Sequence, residues 1–488
     1  MKTIVIIGGG FCGTMTAVNL ARFRTGALRV VLVNHKFPLG RGVAYSTTQS
    51  EHLLNVAARN MSALADHPNH LLDWLRTRSE YADVPEATLR ETFIPRKTYG
   101  DYLRSLLLWY SRPLDDSAEF QVDFIDGEAV DVQRQGERCI VLLADGQAIE
   151  ADKVLLATGN QPPAELSVAS PEVLQHPGYF ASPWDGWQKQ LRDNPQHGAT
   201  ADAIVLGTGL TMVDALLTLL AHDWQGRITA VSRHGWLPQS HFKGIEYPDF
   251  PPADVASMSL EQLVDLLEEH CDRLRKQGAN PAIVVDKMRP HTQRIWQKFS
   301  VAEKREFCRR YAARWNVIRH RIAQQIHQRV AEAASSGKLH VVAGSIERLE
   351  ADGPRLRVVV KDANGDTRAL EAGVVVNCTG PCRSFSKVPV ALFQNLLGSG
   401  LVQVDDLDMG LRVDTDFTAI DAAGNRSDLL YAMGPLLHGT LWETIAVPEL
   451  RGQALRVAQT LLEACAAAEP GHELWPATAE AAVLEYCI

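Results

Sequence analysis

The clearest pattern along the chain is a series of short apolar runs that stop at glycine, each followed by positions with helical spacing. Ile4-Val5-Ile6-Ile7 ends at Gly8-Gly9-Gly10-Phe11-Cys12-Gly13, and apolar positions through Leu20-Ala21 then recur with the period of a helix. Arg29-Val30-Val31-Leu32-Val33-Asn34 is apolar at consecutive positions, as in a strand buried on both faces of a parallel sheet. Strand, glycine turn, helix and strand complete a βαβ unit by residue 34. After loop-rich and helical sequence from Gly40 to about residue 112, the alternating runs Phe120–Ile125, Ala129–Val132 and Cys139–Leu143 predict a small antiparallel meander. Val154-Leu155-Leu156 then closes on Ala157-Thr158-Gly159.

The same order recurs. Ala203-Ile204-Val205-Leu206 runs into Gly207-Thr208-Gly209, a helix-like Val213–Leu220 and the strand Ile228-Thr229-Ala230-Val231. Late strands at Leu339–Ala343, Leu356–Val360 and Val374–Asn377 close on Cys378-Thr379-Gly380. The distance from turn to tripeptide is 149 positions in the first copy (8 to 157) and 171 in the second (207 to 378). Internal self-similarity of this kind predicts an α/β chain with two Rossmann-like dinucleotide-binding domains, the second inserted into the first. Residues 1–195 and 385–488 would form the first domain and 196–384 the second, with the proline-bearing, polar stretch 160–200 as linker.

A polar helical insert near 240–337 accounts for the longer second copy. Ser259 with Gln262, and Ser300 with Glu303, have capping-box spacing. Phe307, Tyr311, Trp315, Ile318, Ile322 and Ile326 would share one face of a later helix, and Arg305, Arg309, Arg310, Arg314, Arg319 and Arg321 decorate the rest. That arginine run reads first as a solvated face and second as an anion-binding wall.

Composition narrows the class without changing it. The 488 residues carry 49 Lys+Arg against 58 Asp+Glu, a net charge of −9, so no basic field exists to hold nucleic acid or an anionic membrane. Eight dispersed cysteines form no CxxC pair and no ligand spacing, which argues for reduced thiols, no metal site and a cytoplasmic setting. The first apolar run is too short for a secretory h-region, and no stretch reaches about 18 apolar residues, so no membrane span is expected. Small molecules are the expected partners, and the oligomeric state is left open.

Gly8, Gly10 and Gly13 satisfy GxGxxG: tight turn, close backbone approach to a pyrophosphate, and close helix–strand packing. The helix start then offers N–H donors and the positive end of its dipole. The strand that follows ends in Asn34 rather than an acid, so an amide would meet the ribose. In the second copy Gly207 and Gly209 keep the first two glycines and Met212 replaces the third, which predicts looser helix packing. Its next strand ends at Ser232-Arg233-His234, a hydroxyl and a guanidinium suited to a ribose 2′-phosphate, hence NADPH over NADH; a surface arginine is the plainer reading. Thr440 and Glu443 have capping spacing for a helix start, although Pro448 fits a helix that begins later.

The paired turns, the two Ala/Cys-Thr-Gly tripeptides and Gly434-Pro435 resemble the two-dinucleotide-domain flavoproteins, which carry FAD on the first unit and NAD(P)H on the inserted second. Gly40-Arg41-Gly42-Val43-Ala44-Tyr45-Ser46, Leu54-Asn55-Val56-Ala57, Asn60-Met61-Ser62-Ala63, Pro95–Tyr102, Ser232–Gly235 and Gly439–Glu443 resemble a bacterial family similar to FAD-dependent urate hydroxylases and to a nitrosuccinate-forming aspartate N-monooxygenase. The resemblance implies that Gly8, Gly10, Phe11, Cys12 and Gly13 line the FAD pyrophosphate. It implies Asn34 at the adenosine ribose, Val130 near the adenine, and Arg41-Gly42, Asn55, Thr158, Gly159, Gly434 and Thr440 around the cofactor. Gly207, Gly209, Ser232 and Arg233 would hold NADPH. Asn55, His438 and Trp442 are the catalytic candidates, with Arg59 and His241 in segments that approach the flavin or the cleft.

No hydrolase triad, HExxH or P-loop occurs in the chain. The expected activity is therefore an NADPH-using FAD monooxygenase that acts with O2, through a flavin hydroperoxide, on a small nitrogen-containing metabolite. Urate hydroxylation is the first expectation and amino-acid N-hydroxylation the second. The FxGxxxHxxxW fingerprint is not intact, with only His176, Pro183 and Trp184 in its place. A flavin reductase or dehydrogenase is the enzymatic alternative, and a nucleotide-responsive regulator of a partner protein the non-enzymatic one.

Overall fold

A computed structural model describes residues 1–112, 119–184, 187, 201–242, 245–248, 250–382 and 384–466. The strands in chain order are β1 Lys2–Ile7, β2 Leu28–Asn34, β3 Phe120–Asp126, β4 Ala129–Gln135, β5 Arg138–Leu143, β6 Ala148–Ala151, β7 Lys153–Leu156 and β8 Tyr179–Phe180. They continue with β9 Ala203–Leu206, β10 Ile228–Ser232, β11 Leu339–Ala343, β12 Ser345–Asp352, β13 Arg355–Lys361, β14 Thr367–Ala372, β15 Val374–Asn377, β16 Thr418–Ile420 and β17 Arg426–Ala432.

Two main sheets follow one plan. The first runs β16-β17-β7-β1-β2-β3 and the second β11-β10-β9-β15-β8. The parallel cores β7-β1-β2-β3 and β15-β9-β10-β11 therefore correspond strand for strand, and each has a three-stranded antiparallel meander, β4-β5-β6 or β12-β13-β14, before its last core strand. The central strands β1, β7, β9 and β15 are almost wholly buried because helices cover one face and the antiparallel meander covers the other, which is why their sequences are continuously apolar. Helix Phe11–Phe23 packs between β1 and the long helix Val447–Ala466, so a segment far along the chain completes the first unit.

The course of the chain departs from the sequence expectations at three places before residue 400. Phe120–Asp126 does not belong to the first meander: it pairs in parallel with β2, from Leu28↔Phe120 to Asn34↔Asp126, and Ala148–Ala151 is the meander's third strand. Its apolar–polar alternation suits an edge strand, in which Phe120 is buried and Phe124 is exposed. Second, residues 160–180 are not all linker. Val173, Tyr179 and their neighbours pack into the core of the second unit, and β8 pairs with β15, so that unit begins before residue 196. The polar stretch Asp193–Gly198 and residues 467–488 lie outside the described residues.

Third, the aromatic–arginine segment is not one helix. Both capping boxes form, at Ser259 and Ser300, and open helices Leu260–Lys276 and Val301–Arg310. After helix Ala312–Arg319 the chain extends, Ile322 bridges to Ser240, and a new helix runs Gln324–Ser335. Phe307, Tyr311 and Trp315 therefore pack in the insert, whereas Ile322 and Ile326 join the core of the second unit. Arg305, Arg309, Arg310 and Arg314 are solvated as expected, but Arg319 and Arg321 are only 6% and 7% exposed and paired with carboxylates. A single amphipathic period cannot encode two cores.

Candidate functional site

The first glycine turn is enforced by contact. Gly8 has φ +114°, and a Cβ there would stand 2.4 Å from the Ala157 carbonyl oxygen. A Cβ on Gly13 would stand 1.9 Å from the carbonyl oxygen of Gly8, so only glycine lets helix Phe11–Phe23 sit this close to the turn. Gly10 caps that helix without a side-chain hydrogen bond, which leaves the first-turn N–H groups for the oxygens of a bound phosphate. Gly42, at φ +55°, lies over the turn, and its Cβ would come within 2.8 Å of the Gly10 Cα. Arg41 beside it pairs with Asp101.

Asn34 stands at the end of β2, where its Oδ1 accepts from the Gly9 N–H at 3.2 Å and its Nδ2 donates to the Phe37 carbonyl at 2.8 Å. The amide keeps one lone pair and one N–H for a ribose. Gly434, φ +73°, sits against Cys12: a Cβ would be 2.6 Å from the sulfur. Its N–H donates to Gln453, and its carbonyl accepts from the Thr444 hydroxyl. Thr158 and Gly159 are bridged by the Gln161 amide, with Gly159 at φ +74°. Val130 lies on β4, where its carbonyl accepts from Asn395. Donors, glycine contacts and the overlying loop fit a dinucleotide whose pyrophosphate lies on Gly8–Gly13.

The second turn repeats the scheme. Gly207 has φ +108°, and its Cβ would stand 2.4 Å from the Cys378 carbonyl oxygen, the counterpart of Gly8 and Ala157. Gly209 caps helix Leu210–Ala221, again without a side-chain bond. Ser232 is held by Thr208 at 2.8 Å and accepts from the Gly235 N–H. A cavity of about 790 Å³ brings Gly207, Ser232 and Arg233 together with Thr379, Gly380 and Lys387. Lys387 was not legible in the sequence, because it ends the 3-10 helix Phe385–Lys387, which follows the second tripeptide and carries no nucleotide-binding pattern of its own.

The remaining candidates sit where the units meet. The Asn55 carbonyl accepts from His241 Nε2 at 2.8 Å, which joins first-unit and second-unit segments. Arg59 pairs with Glu91. His52 contacts the Asp214 carbonyl and Thr218 at 3.0 Å each, and Arg96 pairs with Asp214 at 2.8 Å, so the helix after the second glycine turn is tied to the first unit. Burial, with Arg321 nearby, pushes the His241 imidazole down to about 4, so it is neutral at pH 7. The proton then lies on Nε2, facing the Asn55 carbonyl, and Nδ1 carries the lone pair.

Trp442 takes φ +61°, rare for a bulky side chain, and turns into the insert. It packs on Trp296 at 4.9 Å, Phe307 at 5.1 Å and His438 at 4.7 Å. The capping expectation at Thr440 and Glu443 is overturned. Thr440 lies inside the short helix His438–Leu441 with its hydroxyl donating to Leu411, and the long helix starts at Val447, with Pro448 in its first turn. Glu443 instead accepts from Trp315 Nε1 at 3.3 Å and pairs with buried Arg319 at 3.2 Å, while Arg289 pairs with Glu449 at 3.0 Å. His176, from the incomplete fingerprint, accepts from the Gly178 N–H and contacts the Gly353 carbonyl.

One large cavity, of about 1140 Å³, lies in the insert, and His241 and Trp442 are among the residues that line it. Among the described residues every cysteine is free, no cluster of side chains has metal-binding form, and no helix is long and apolar enough to cross a membrane. Burial raises the Cys12 thiol to about 12.

Residues 5–161 match a protein family described as FAD-NAD(P)-binding, so the first glycine-turn unit is an FAD/NAD(P)-binding domain. Proteins of Mycobacterium bovis and Mycobacterium tuberculosis, themselves described as uncharacterised, are 22% identical to this chain over 94% of its length and 95% of theirs. The fold is similar to that of the ornithine N-hydroxylase of Kutzneria sp. 744, solved with reduced FAD, NADP+ and L-ornithine: TM-score 0.64, 15% identity, 94% of this chain and 98% of that one. It is similar also to the L-lysine 6-monooxygenase of Pseudomonas syringae (0.62, 18%, 95% and 100%) and to the bacillithiol disulfide reductase of Staphylococcus aureus (0.52, 13%, 95% and 99%). The likeness is one of fold, with two dinucleotide-binding units in one chain.

Proposed function

We propose that this protein is an FAD-dependent, NADPH-using monooxygenase that oxygenates a nitrogen-bearing small molecule. The observation that carries the reading is the pair of matching glycine turns in one chain, one covered by the Gly40–Gly42 loop and one opening on a cavity that holds Arg233 and Lys387. FAD held on the first turn would supply hydride acceptance from NADPH and the activation of O2. The chain's own residues bind and position: Gly8, Gly10 and Gly13 with the Asn34 amide for FAD, Gly207, Gly209, Ser232, Arg233 and Lys387 for NADPH. In sum, an amine, O2, NADPH and a proton give a hydroxylamine, water and NADP+.

N-oxygenation is supported by the fold's likeness to ornithine and lysine hydroxylases, and urate hydroxylation has no counterpart among the solved structures named above. A thiol-based reductase is disfavoured by Cys12 and Cys378, both buried with thiols raised by desolvation. Purified protein is expected to be yellow and to consume NADPH and O2 together when an amine substrate is added. A preparation that never takes up FAD, or substrate-dependent NADPH oxidation that proceeds equally in anaerobic buffer with an artificial acceptor, overturns the reading.

A further inference from the structure

We propose that the insert cavity is the substrate chamber and that its occupant is an uncharged amine borne on an aromatic body, a deepening that rests on the monooxygenase reading. Ligand pockets commonly span about 300–1000 Å³, and this one, at about 1140 Å³, is far larger than a free amino acid or a purine requires. Its buried floor is apolar: Met288, Ile295, Trp296 and Trp442 are each 6% exposed or less. The polar atoms there are already engaged, since Trp296 Nε1 donates to the Gly439 carbonyl at 2.8 Å and the Thr292 hydroxyl to the Met288 carbonyl at 3.1 Å. Against that floor a carboxylate, an ammonium or the polar edges of a purine would lose water without gaining a partner; the polar side chains Gln239, Ser240, Asn280, Tyr311 and His327 line other parts of the cavity. An aromatic ring would continue the tilted and edge-on packing of Trp296, Phe307 and Trp442.

Charge is confined to the cavity's solvated rim, where Glu268, Asp272, Arg275 and Arg314 stand. On the segment that meets the first unit the polar lining residues are Gln239, Ser240 and His241; the Ser240 hydroxyl donates to the His241 carbonyl, and His241 is neutral with its Nε2 proton committed to Asn55, which leaves its Nδ1 lone pair to accept an N–H. A neutral acceptor suits an arylamine, which is uncharged at pH 7, and gives no charge to balance an alkylammonium.

FAD-loaded protein titrated with 4-butylaniline should show saturable quenching of tryptophan fluorescence, because Trp296, Trp315 and Trp442 line the cavity. Ornithine and urate should bind at least about tenfold more weakly. Ile295→Trp fills the floor and should weaken 4-butylaniline by about tenfold while flavin absorbance is retained; Leu267→Trp, on a partly exposed wall, is the second variant if the first fails to fold. Tighter binding of ornithine or urate, no saturable binding of 4-butylaniline, or binding indifferent to both variants overturns the proposal. Saturable, variant-sensitive binding without a hydroxylated product upholds the occupant and sinks the monooxygenase reading instead.

Discussion

The two glycine turns share their first step and differ in the second. Gly8 and Gly207 each press a carbonyl of the following tripeptide strand at the same distance and with nearly the same positive φ. Beyond that, the first turn is clamped: Gly13 lies against the carbonyl of Gly8, and Gly42 lies over Gly10. The second turn is open. Gly209 has nothing within 4 Å of where a Cβ would stand, and fully buried Met212 takes the third glycine's place. A clamped turn suits a cofactor that stays, and an open one suits a cofactor that arrives and leaves each cycle.

That contrast can be broken most severely at Gly13. Gly13→Ala drives a methyl into backbone that has no room to yield, and a loss of more than about 4 kcal/mol is expected, with a colourless product, read by denaturant unfolding and flavin content. Retention of flavin and normal stability would mean the helix is not packed as described.

Acid tests the joint between the units. His241 and His320 are half-buried, and desolvation holds their folded-state pKa values near 4 and 3, below the unfolded value of about 6.5. The unfolded chain binds the proton first, so stability is complete above about pH 6.5 and is lost as pH falls toward 4; His241 contributes on the order of 3 kcal/mol across that window. Thermal melts should show this slope, and His241→Gln should flatten it. A variant as acid-sensitive as the parent would remove His241 from the joint.

A smaller effect is expected at the open turn. Arg233→Ala should raise KM for NADPH about tenfold and leave KM for NADH nearly unchanged, as loss of one charge-assisted phosphate contact requires. Equal changes for both nucleotides would refute the 2′-phosphate role. The smallest effect separates the two turns most cleanly. Gly209→Ala, at φ −83° with open space around it, should change stability by no more than about 0.5 kcal/mol while raising KM for NADPH, because the methyl occupies the side a pyrophosphate approaches. A collapse like that of Gly13→Ala would show the second turn to be clamped as well.

What could be read from the sequence follows from range. The turns, the tripeptides and both capping boxes are local devices whose residues lie within a few positions of one another, and all of them formed. The errors came where partners are distant. Phe120–Asp126 alternates as either a meander or an edge strand would, and only its pairing with β2 decides. Thr440 and Glu443 have capping spacing, yet Glu443 is drawn away by Arg319 and Trp315 of the insert. Arg319 and Arg321 looked like solvated neighbours of Arg309 and Arg310 until the chain extended at Ile322 and buried them against Glu443 and Asp286.

The sequence by itself determined that there are two Rossmann-like units and where each backbone takes its tight glycine turn, because glycine's steric permission is a property of single residues and their nearest neighbours. Only the tertiary structure decided that Lys387 joins Arg233, that His241 is held neutral against Asn55, and that Trp442 faces an apolar chamber in the insert. Those arrangements depend on burial and on contacts between segments far apart in the chain, and desolvation acts on a side chain only after its surroundings have folded around it.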